Sequence, residues 1–403
     1  MAGPTHARSP RMAYIGEGGN VFSWNSANSQ KHQLTWSWEE SQDGHGSQGT
    51  AARLTHVWPA WAPDGSRIAC FGLRSASESK VETRVYAVAA DGVESWELTT
   101  LSGGMPVYGN WSPRGDAFAV LVQRGEEQLS LEIIRLDDPG KTLPVMSGAP
   151  LFWSWSPDGN LLAVHVGGSH RASAEARVVL LDAFSGKPVQ HVTDHPGEFR
   201  VPAWSHQGDL LAYVGQETQE EETLFLFDVT SGEKGPVAHV SGGTAALWSA
   251  DGNALAFSSA SRSSSFSFSQ IQVLDLTNGR VSTVLDEPVI GFFWSPREDA
   301  LFYLTVNTTQ SYLCWHRFMR ATSEKAELVR FLPSREQTFL FSFFDQYASS
   351  HPSLAPDGSA LAFAGYLLGR DSATTTSQVY LVPLDHPAKP RLVAPGQFVC
   401  WNL

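Results

Sequence analysis

The side chains best suited to chemistry lie in one long segment, residues 334–351, which separates two copies of a repeated motif. An enzyme could use Asp345, Tyr347 and His351 as acid and base. Arg370 would then clamp an anionic group of the substrate. A binding lid would instead place the aromatic rings of the segment against a ligand, whereas a third interpretation buries those rings as a small core over a channel mouth. The candidate binding residues are Phe341, Phe344, Asp345, Gln346, Tyr347, His351, Arg370 and Asp371.

Other strings that resemble catalytic motifs lack the context that those motifs need. Residues 45–49 (HGSQG) fall one residue short of the G-x-S-x-G nucleophile turn, and they lie in a loop rather than between a strand and a helix. The sequence contains no HExxH or CxxC motif, so we expect no metal and no cofactor. Two of the three cysteines lie in or beside apolar strand runs, which is typical of buried thiols. The cysteines are Cys70, Cys314 and Cys400.

The excess of acidic over basic residues indicates which classes of partner are disfavoured. The chain has 28 Lys and Arg against 41 Asp and Glu, which gives a net charge of −13 (28 − 41). Nucleic acids and anionic membranes both attract basic surfaces, so this balance disfavours both. The amino terminus lacks the apolar core of a signal peptide, and no apolar run is long enough to span a bilayer. We therefore expect a cytoplasmic monomer, or a periplasmic or extracellular one if a leader has been removed.

One phrase recurs along the chain: a tryptophan, a small residue, and Pro-Asp-Gly or a variant of it. Successive copies lie 50, 44, 49, 44, 46, 60 and 47 residues apart, a period typical of propellers, solenoids and other arrays. We call the tryptophans that begin these copies the anchor tryptophans, and in one copy leucine replaces tryptophan. The copies begin at Trp61, Trp111, Trp155, Trp204, Trp248, Trp294, Leu354 and Trp401.

Each repeat contains short apolar runs that are rich in β-branched and aromatic residues and are bounded by Gly, Pro, Asp and Ser, which indicates strands. The Ser-Pro-Asp-Gly phrase fits a type I turn with glycine at the fourth position. We therefore predict an all-β propeller of four-stranded antiparallel blades. The anchor tryptophans are expected to pack between neighbouring blades.

The two ends of the chain complement each other. Residues 398–403 read as a first strand without a second, and residues 9–15 resemble the strand that follows Trp111. Pairing them would complete one repeat and remove the exposed edges of a linear array. The result is a ring of eight blades, with seven as the alternative, in a single domain over residues 9–403. Residues 1–8 are predicted to be disordered.

The W-[SA]-P-D-G phrase, followed by a strand such as residues 161–164 (LLAV), resembles the WD40-like PD40 repeats of the TolB-like propellers. The resemblance covers nearly the whole chain and implies a propeller fold. It implies several possible functions, because such blades occur in binding proteins, in gating domains of peptidases and in some lyases. TolB itself has six blades and an additional α/β domain, so this chain is similar to the family by its repeat and departs from TolB.

The long connections fall between second and third strands or between repeats, which places them on one face of a propeller. Loops carry function when a rigid scaffold positions them, so we expect the site on this face. Glu198 and Arg200 belong to the same face and are expected to be solvated. The main hypothesis is a non-enzymatic scaffold that binds a protein or peptide partner through this face. The alternative is an enzyme, a lyase or hydrolase acting on a sugar or peptide, with its site at the mouth of the central channel.

Overall fold

The computed structural model consists almost entirely of antiparallel β-sheet. Within the part of the chain that it describes lie 31 strands, two α-helices and one turn of 3-10 helix at Glu17–Gly19. The predicted all-β fold is therefore confirmed. The described residues are 9–37, 54–77, 80–125, 128–167, 176–198, 200–216, 221–260, 267–369, 375–385 and 389–403.

One sheet contains strands from both ends of the chain. Its strands are β1 (Arg11–Ile15), β2 (Val21–Asn25), β3 (Lys31–Gln33) and β31 (Phe398–Trp401). The pairing of β1 with β31 is antiparallel, with Met12 opposite Trp401 and Ile15 opposite Phe398. The predicted closure of the ring is confirmed, and it removes the two edges that an open array would expose.

Five further sheets each contain four strands that follow one another in sequence. Neighbouring strands in each are antiparallel, as short connections between adjacent strands require. The strands are β4 (Leu54–Trp61), β5 (Arg67–Ser77), β6 (Lys80–Ala89), β7 (Ser95–Leu101), β8 (Met105–Trp111), β9 (Ala117–Gln123), β10 (Leu129–Arg135), β11 (Thr142–Ser147), β12 (Leu151–Trp155), β13 (Leu161–Val166), β14 (Arg177–Asp182), β15 (Pro188–Thr193), β16 (Ala203–Trp204), β17 (Leu210–Gln216), β18 (Glu222–Asp228), β19 (Lys234–Val240), β20 (Thr244–Trp248), β21 (Ala254–Ser259), β22 (Ile271–Asp275) and β23 (Arg280–Leu285).

The remaining sheet has seven strands, because two sets of strands join at one edge. Phe331 and Pro333 of one set lie opposite Leu367 and Gly365 of the other. The predicted number of eight blades depends on counting this sheet as two. Its strands are β24 (Gly291–Trp294), β25 (Ala300–Asn307), β26 (Tyr312–Met319), β27 (Glu324–Pro333), β28 (Ala360–Leu367), β29 (Gln378–Pro383) and β30 (Arg391–Pro395).

The Pro-Asp-Gly phrases form the tight turns between first and second strands. The amide of Gly159 donates to the carbonyl of Ser156 at 2.8 Å, and the amide of Gly252 donates to the carbonyl of Ser249 at 2.9 Å. Both glycines have a positive φ, +70° and +73°, a conformation that glycine adopts at little cost. The hydroxyl of Ser156 also donates to Oδ1 of Asp158 at 2.6 Å. The sequence prediction of these turns is confirmed.

Five anchor tryptophans bind their repeat to the one before it through the indole N–H group. Nε1 of Trp248 donates to the carbonyl of Ala203 at 3.0 Å, and Nε1 of Trp294 donates to the carbonyl of Leu247 at 2.9 Å. In each case the acceptor belongs to the residue just before the preceding anchor, so the bond crosses from one sheet to the next. The same bond joins Trp111 to Ala60, Trp155 to the side chain of Asn110, and Trp204 to Ser154.

The long segment between β27 and β28 contains two short helices, α1 (Arg335–Ser342) and α2 (Phe344–Tyr347). Ser334 caps α1, because its hydroxyl accepts a hydrogen bond from the amide of Gln337 at 3.1 Å. Serine is among the residues that most favour this position. The sequence analysis predicts no helix here, since eight residues are too few to show a clear helical period.

We expect Trp248→Ala to lower the free energy of unfolding by about 3–5 kcal/mol, because it leaves a cavity between two sheets. Trp248→Phe keeps a ring but removes the N–H group that the Ala203 carbonyl accepts, and should cost about 1 kcal/mol. Urea unfolding followed by circular dichroism measures both changes. As a control, Trp96→Ala at a 43% exposed position should cost less than about 0.5 kcal/mol. A loss below about 1 kcal/mol for Trp248→Ala would contradict the packing role.

Candidate functional site

The segment 334–351 folds inward and fills the centre of the ring of sheets. Tyr347 packs edge-on against Tyr108 of β8, with ring centroids 5.0 Å apart. Phe344 packs in the same way against Phe292 of β24, also at 5.0 Å. Because these contacts reach inner strands from distant parts of the chain, the segment closes the central channel. We call residues 334–351 the plug.

Two further candidate residues of the plug are buried in the same way. The ring of Phe341 lies 5.7 Å from that of Trp315, and the ring of His351 lies 4.7 Å from that of Trp58. Phe341 and His351 are each 1% exposed. Phe341, Phe344 and Tyr347 therefore belong to the main hydrophobic core with the inner strands and do not form a separate small core over the channel mouth, whereas Phe339 is 38% exposed.

Ser350 and His351 form a hydroxyl–imidazole pair beside this core. Oγ of Ser350 lies 2.8 Å from Nδ1 of His351, a contact of the kind that activates serine nucleophiles. Burial lowers the pKa of His351 to about 3, so its imidazole is neutral at physiological pH. A base with so low a pKa accepts a hydroxyl proton poorly. We interpret this pair as a structural hydrogen bond.

Asp345 forms a buried ion pair with Arg200. Nη1 of Arg200 donates to Oδ1 of Asp345 at 3.1 Å, and the side chains are 19% and 2% exposed. The guanidinium also lies over the ring of Phe268, 4.9 Å from its centroid. The expectation that Arg200 is solvated is therefore wrong. The partners are 145 residues apart in sequence, so no local pattern could have indicated the pair.

Three polar atoms near this ion pair have no hydrogen-bond partner among the described residues: Oδ2 of Asp345, Oε1 of Gln346 and the hydroxyl of Tyr108. The side-chain amide of Gln346 is held in place by its nitrogen, because Nε2 donates a hydrogen bond to the carbonyl of Trp153 at 2.8 Å. Burial, with Tyr347 and Asp345 nearby, raises the pKa of Tyr108 well above its ordinary value. Its hydroxyl therefore stays protonated and can donate. Buried polar atoms without a partner are costly and are often explained by a ligand or a bound water.

A cleft with a volume of about 580 Å³ opens on one face of the ring, and the plug forms its floor. Asp345, Gln346 and Ser349 of the plug belong to this floor, where Ser349 is exposed. The wall is formed by anchor tryptophans and by prolines of the tight turns. We call this space the Trp cleft. Its anchor tryptophans are Trp61, Trp111, Trp155, Trp204, Trp248 and Trp294.

The Trp cleft opens among the short turns, on the face opposite the long connections. The sequence analysis predicts the binding site on the face with the long loops, whereas the cleft lies on the opposite face. This difference has a physical cause. The plug connects β27 to β28 on the long-loop face and extends inward from there, so the open space remains on the short-turn side. Asp345 and Gln346 reach the cleft floor for this reason, whereas the predicted Arg370 and Asp371 lie outside the described residues.

A second cavity, of about 500 Å³, lies against the other side of the plug. Arg200, Phe268 and Phe341 line it. Because Arg200 lines this cavity and Asp345 lines the Trp cleft, their ion pair lies between the two spaces.

The described ranges contain no group of three or more His, Cys, Asp or Glu side chains that could hold a metal ion. Cys70, Cys314 and Cys400 are free and buried, which confirms the prediction of buried thiols. No helix in these ranges has the length and apolar character to cross a membrane. The Trp cleft and its floor are the candidate site that we pursue.

No family model matches this chain. A curated protein, the uncharacterized peptidase YuxL of Bacillus subtilis (strain 168), is 25% identical to it over 173 residues. The match covers 42% of this chain and 23% of the relative. This chain thus matches less than a quarter of the length of that peptidase.

Several solved structures are similar in fold. A structure from a study of two prolyl endopeptidases gives a TM-score of 0.56 at 11% identity, over 87% of this chain and 50% of that chain. A structure of the eukaryotic initiation factor gives 0.52 at 11% identity, over 98% of both chains. TolB from Acinetobacter baumannii gives 0.42 at 16% identity, over 81% of this chain and 80% of that chain. The two likenesses with TM-scores above 0.5 concern the propeller fold alone.

The hypothesis of a non-enzymatic scaffold for a protein or peptide partner is wrong, because the curated relative is a peptidase and agrees better with the enzyme alternative. Sequence reasoning preferred a scaffold since no string in the chain matches a catalytic motif. The polar groups of the cleft floor come together only through the fold of the plug.

We expect His165 to make stability depend on pH. Its Nδ1 lies 2.8 Å from the carbonyl oxygen of Arg200, and burial lowers its pKa to about 4. A histidine in the unfolded chain titrates near pH 6.5, so the unfolded state binds a proton that the folded state excludes between about pH 6.5 and 4. The free energy of unfolding should therefore fall by about 2 kcal/mol on this account between pH 7 and pH 5.

Urea unfolding at pH 7 and pH 5 tests this expectation. His165→Gln should lose about 2 kcal/mol of the pH dependence, whereas His191→Gln, at a half-exposed position, should retain it. An unchanged pH dependence in His165→Gln would contradict the assignment.

Proposed function

We propose that this protein is an enzyme of peptide hydrolysis and that its peptide substrate binds in the Trp cleft. The observation that carries the proposal is the cleft, a space of about 580 Å³ that the plug closes at one end. Sites for small ligands are typically concave, largely apolar and of this volume, with a few polar groups in fixed positions.

The chemistry of the cleft suits a short peptide. Proline rings of the wall and the accessible edges of the half-buried indoles of Trp155 and Trp294 offer apolar contacts to the side chains of a bound peptide. Ser349 of the floor is exposed, and its hydroxyl can donate to or accept from a peptide group.

The curated peptidase supports peptide hydrolysis as the class of reaction. The imidazole of the Ser350–His351 pair is too weak a base to activate its hydroxyl. We therefore assign the residues that line the cleft a role in binding and orienting the peptide. Holding a substrate in a fixed orientation is itself a large part of catalysis.

Incubation of the purified protein with a library of short peptides, followed by mass spectrometry, tests the proposal. We expect cleavage products, and we expect Ser349→Trp to reduce the rate of cleavage at least about tenfold, because the indole would occupy the cleft floor. Calorimetry should show a matching rise in the Kd of the bound peptides, by about 1.4 kcal/mol or more.

Ser349→Ala is the matched control, since it changes the same exposed position without filling the cleft and should leave the Kd within about twofold. Val93→Trp adds an indole at a 78% exposed position outside the cleft lining and should also have no effect. The proposal would be wrong if no peptide were bound or cleaved, or if oligosaccharides were cleaved and peptides were not.

A further inference from the structure

The side-chain amide of Asn110 is held in one orientation at the wall of the Trp cleft. Its Oδ1 accepts hydrogen bonds from Nε1 of Trp153 at 3.2 Å and from Nε1 of Trp155 at 3.0 Å. An indole N–H group can only donate, so the amide oxygen must face the two indoles. The amide nitrogen, Nδ2, is therefore turned away from both indoles with its two N–H groups.

This nitrogen is a hydrogen-bond donor without an acceptor. The structure gives Nδ2 of Asn110 no acceptor among the described residues, although the residue is only 6% exposed. Unlike Oδ2 of Asp345 and Oε1 of Gln346, Nδ2 is not one of the polar atoms that are fully shut off from solvent. Because Asn110 lines the Trp cleft, a ligand in that space can reach this donor.

Asn402 presents a second amide to the cleft in the same way. Its Oδ1 accepts a hydrogen bond from the backbone N–H of Arg11 at 2.8 Å, and a backbone N–H group can only donate, so this oxygen is also fixed. Nδ2 of Asn402 again has no acceptor among the described residues and is not shut off from solvent. Since Asn402 lines the same space, the cleft offers two fixed amide donors.

The group that best fits such donors is a neutral carbonyl oxygen, which a peptide carries at every residue. A carboxylate also accepts hydrogen bonds, but removing a charge from water is costly unless an opposite charge meets it. The described residues that line the cleft include no Lys or Arg, and their one Asp or Glu, Asp345, is buried and paired with Arg200. The cleft therefore favours an uncharged acceptor.

We propose that Nδ2 of Asn110 binds a backbone carbonyl oxygen of the peptide in the Trp cleft. The inference rests on the proposed function, and it adds the group by which the peptide is recognised and held in position. Asn110 is then a specificity-determining residue. Trp153 and Trp155 are positioning residues, because their indoles hold the amide with its nitrogen toward the ligand.

The probe for the test is acetyl-leucyl-phenylalanine amide, which has three carbonyl groups and no charge. Each carbonyl oxygen is replaced in turn by sulfur, which is a weaker hydrogen-bond acceptor, and calorimetry measures the Kd of each form. We expect at least one sulfur form to bind at least about fivefold more weakly than the probe. The free acid of the probe should bind no more tightly than the amide, because no Lys or Arg of the described lining meets its charge.

Asn110→Asp replaces Nδ2 by an oxygen and keeps Oδ1 for the two indoles. It should raise the Kd of the probe at least about tenfold, and a sulfur form that bound weakly to the unchanged protein should now bind within about twofold of the probe. A merely structural role would not remove this sensitivity to sulfur. A thermal melt checks that the variant is folded, and Asn110→Ser, whose hydroxyl is too short to reach the ligand, takes its place if it is not.

Asn28→Asp is the matched control, because it makes the same change at an exposed position outside the cleft lining. It should leave every Kd within about twofold. Equal binding of the probe and all three sulfur forms, a sensitivity to sulfur that survives in Asn110→Asp, or tighter binding of the free acid would overturn the inference while the proposed function stands. Failure of every form to bind would contradict both.

Discussion

Hydrogen bonds from five anchor indoles to the preceding repeat hold successive sheets of the ring together. An indole such as that of Trp248 buries a large apolar surface between two sheets and satisfies its one polar atom on the neighbouring strand. In these five bonds the acceptor belongs to the residue just before the previous anchor, so the bond fixes the offset of successive sheets. Pairing of β1 with β31 then closes the series.

Closing sheets into a ring leaves a channel at the centre, and in this chain the plug fills that channel. Its aromatic residues pack against strands from several repeats, and the packing buries the polar side chains of α2 along with the rings. Buried acids are stable in proteins mainly when paired, and the Arg200–Asp345 bond meets that requirement. The same bond holds the buried carboxylate of Asp345 beneath the floor of the cleft.

The position of the plug also decides which face of the ring carries the open cleft. It occupies the channel from the side of the long loops, so the Trp cleft remains among the short turns. The tryptophans that stabilise the ring thereby also form the wall of the candidate site. A change in an anchor tryptophan should consequently affect both stability and the shape of the cleft.

The sequence by itself determined the repeat, its tight turns and the pairing of the chain ends, because each follows from a local pattern of residues that recurs about every 50 residues. It also identified Asp345 and Gln346 as residues of interest, since aromatic residues are unusual in a connection that should be polar and a binding lid would use its polar side chains as contacts. Only the tertiary structure decided that Phe341, Phe344 and Tyr347 are core, that Arg200 is the partner of Asp345, and that the open cleft lies on the short-turn face. These outcomes depend on contacts across the ring between residues far apart in sequence, and no local periodicity records such contacts.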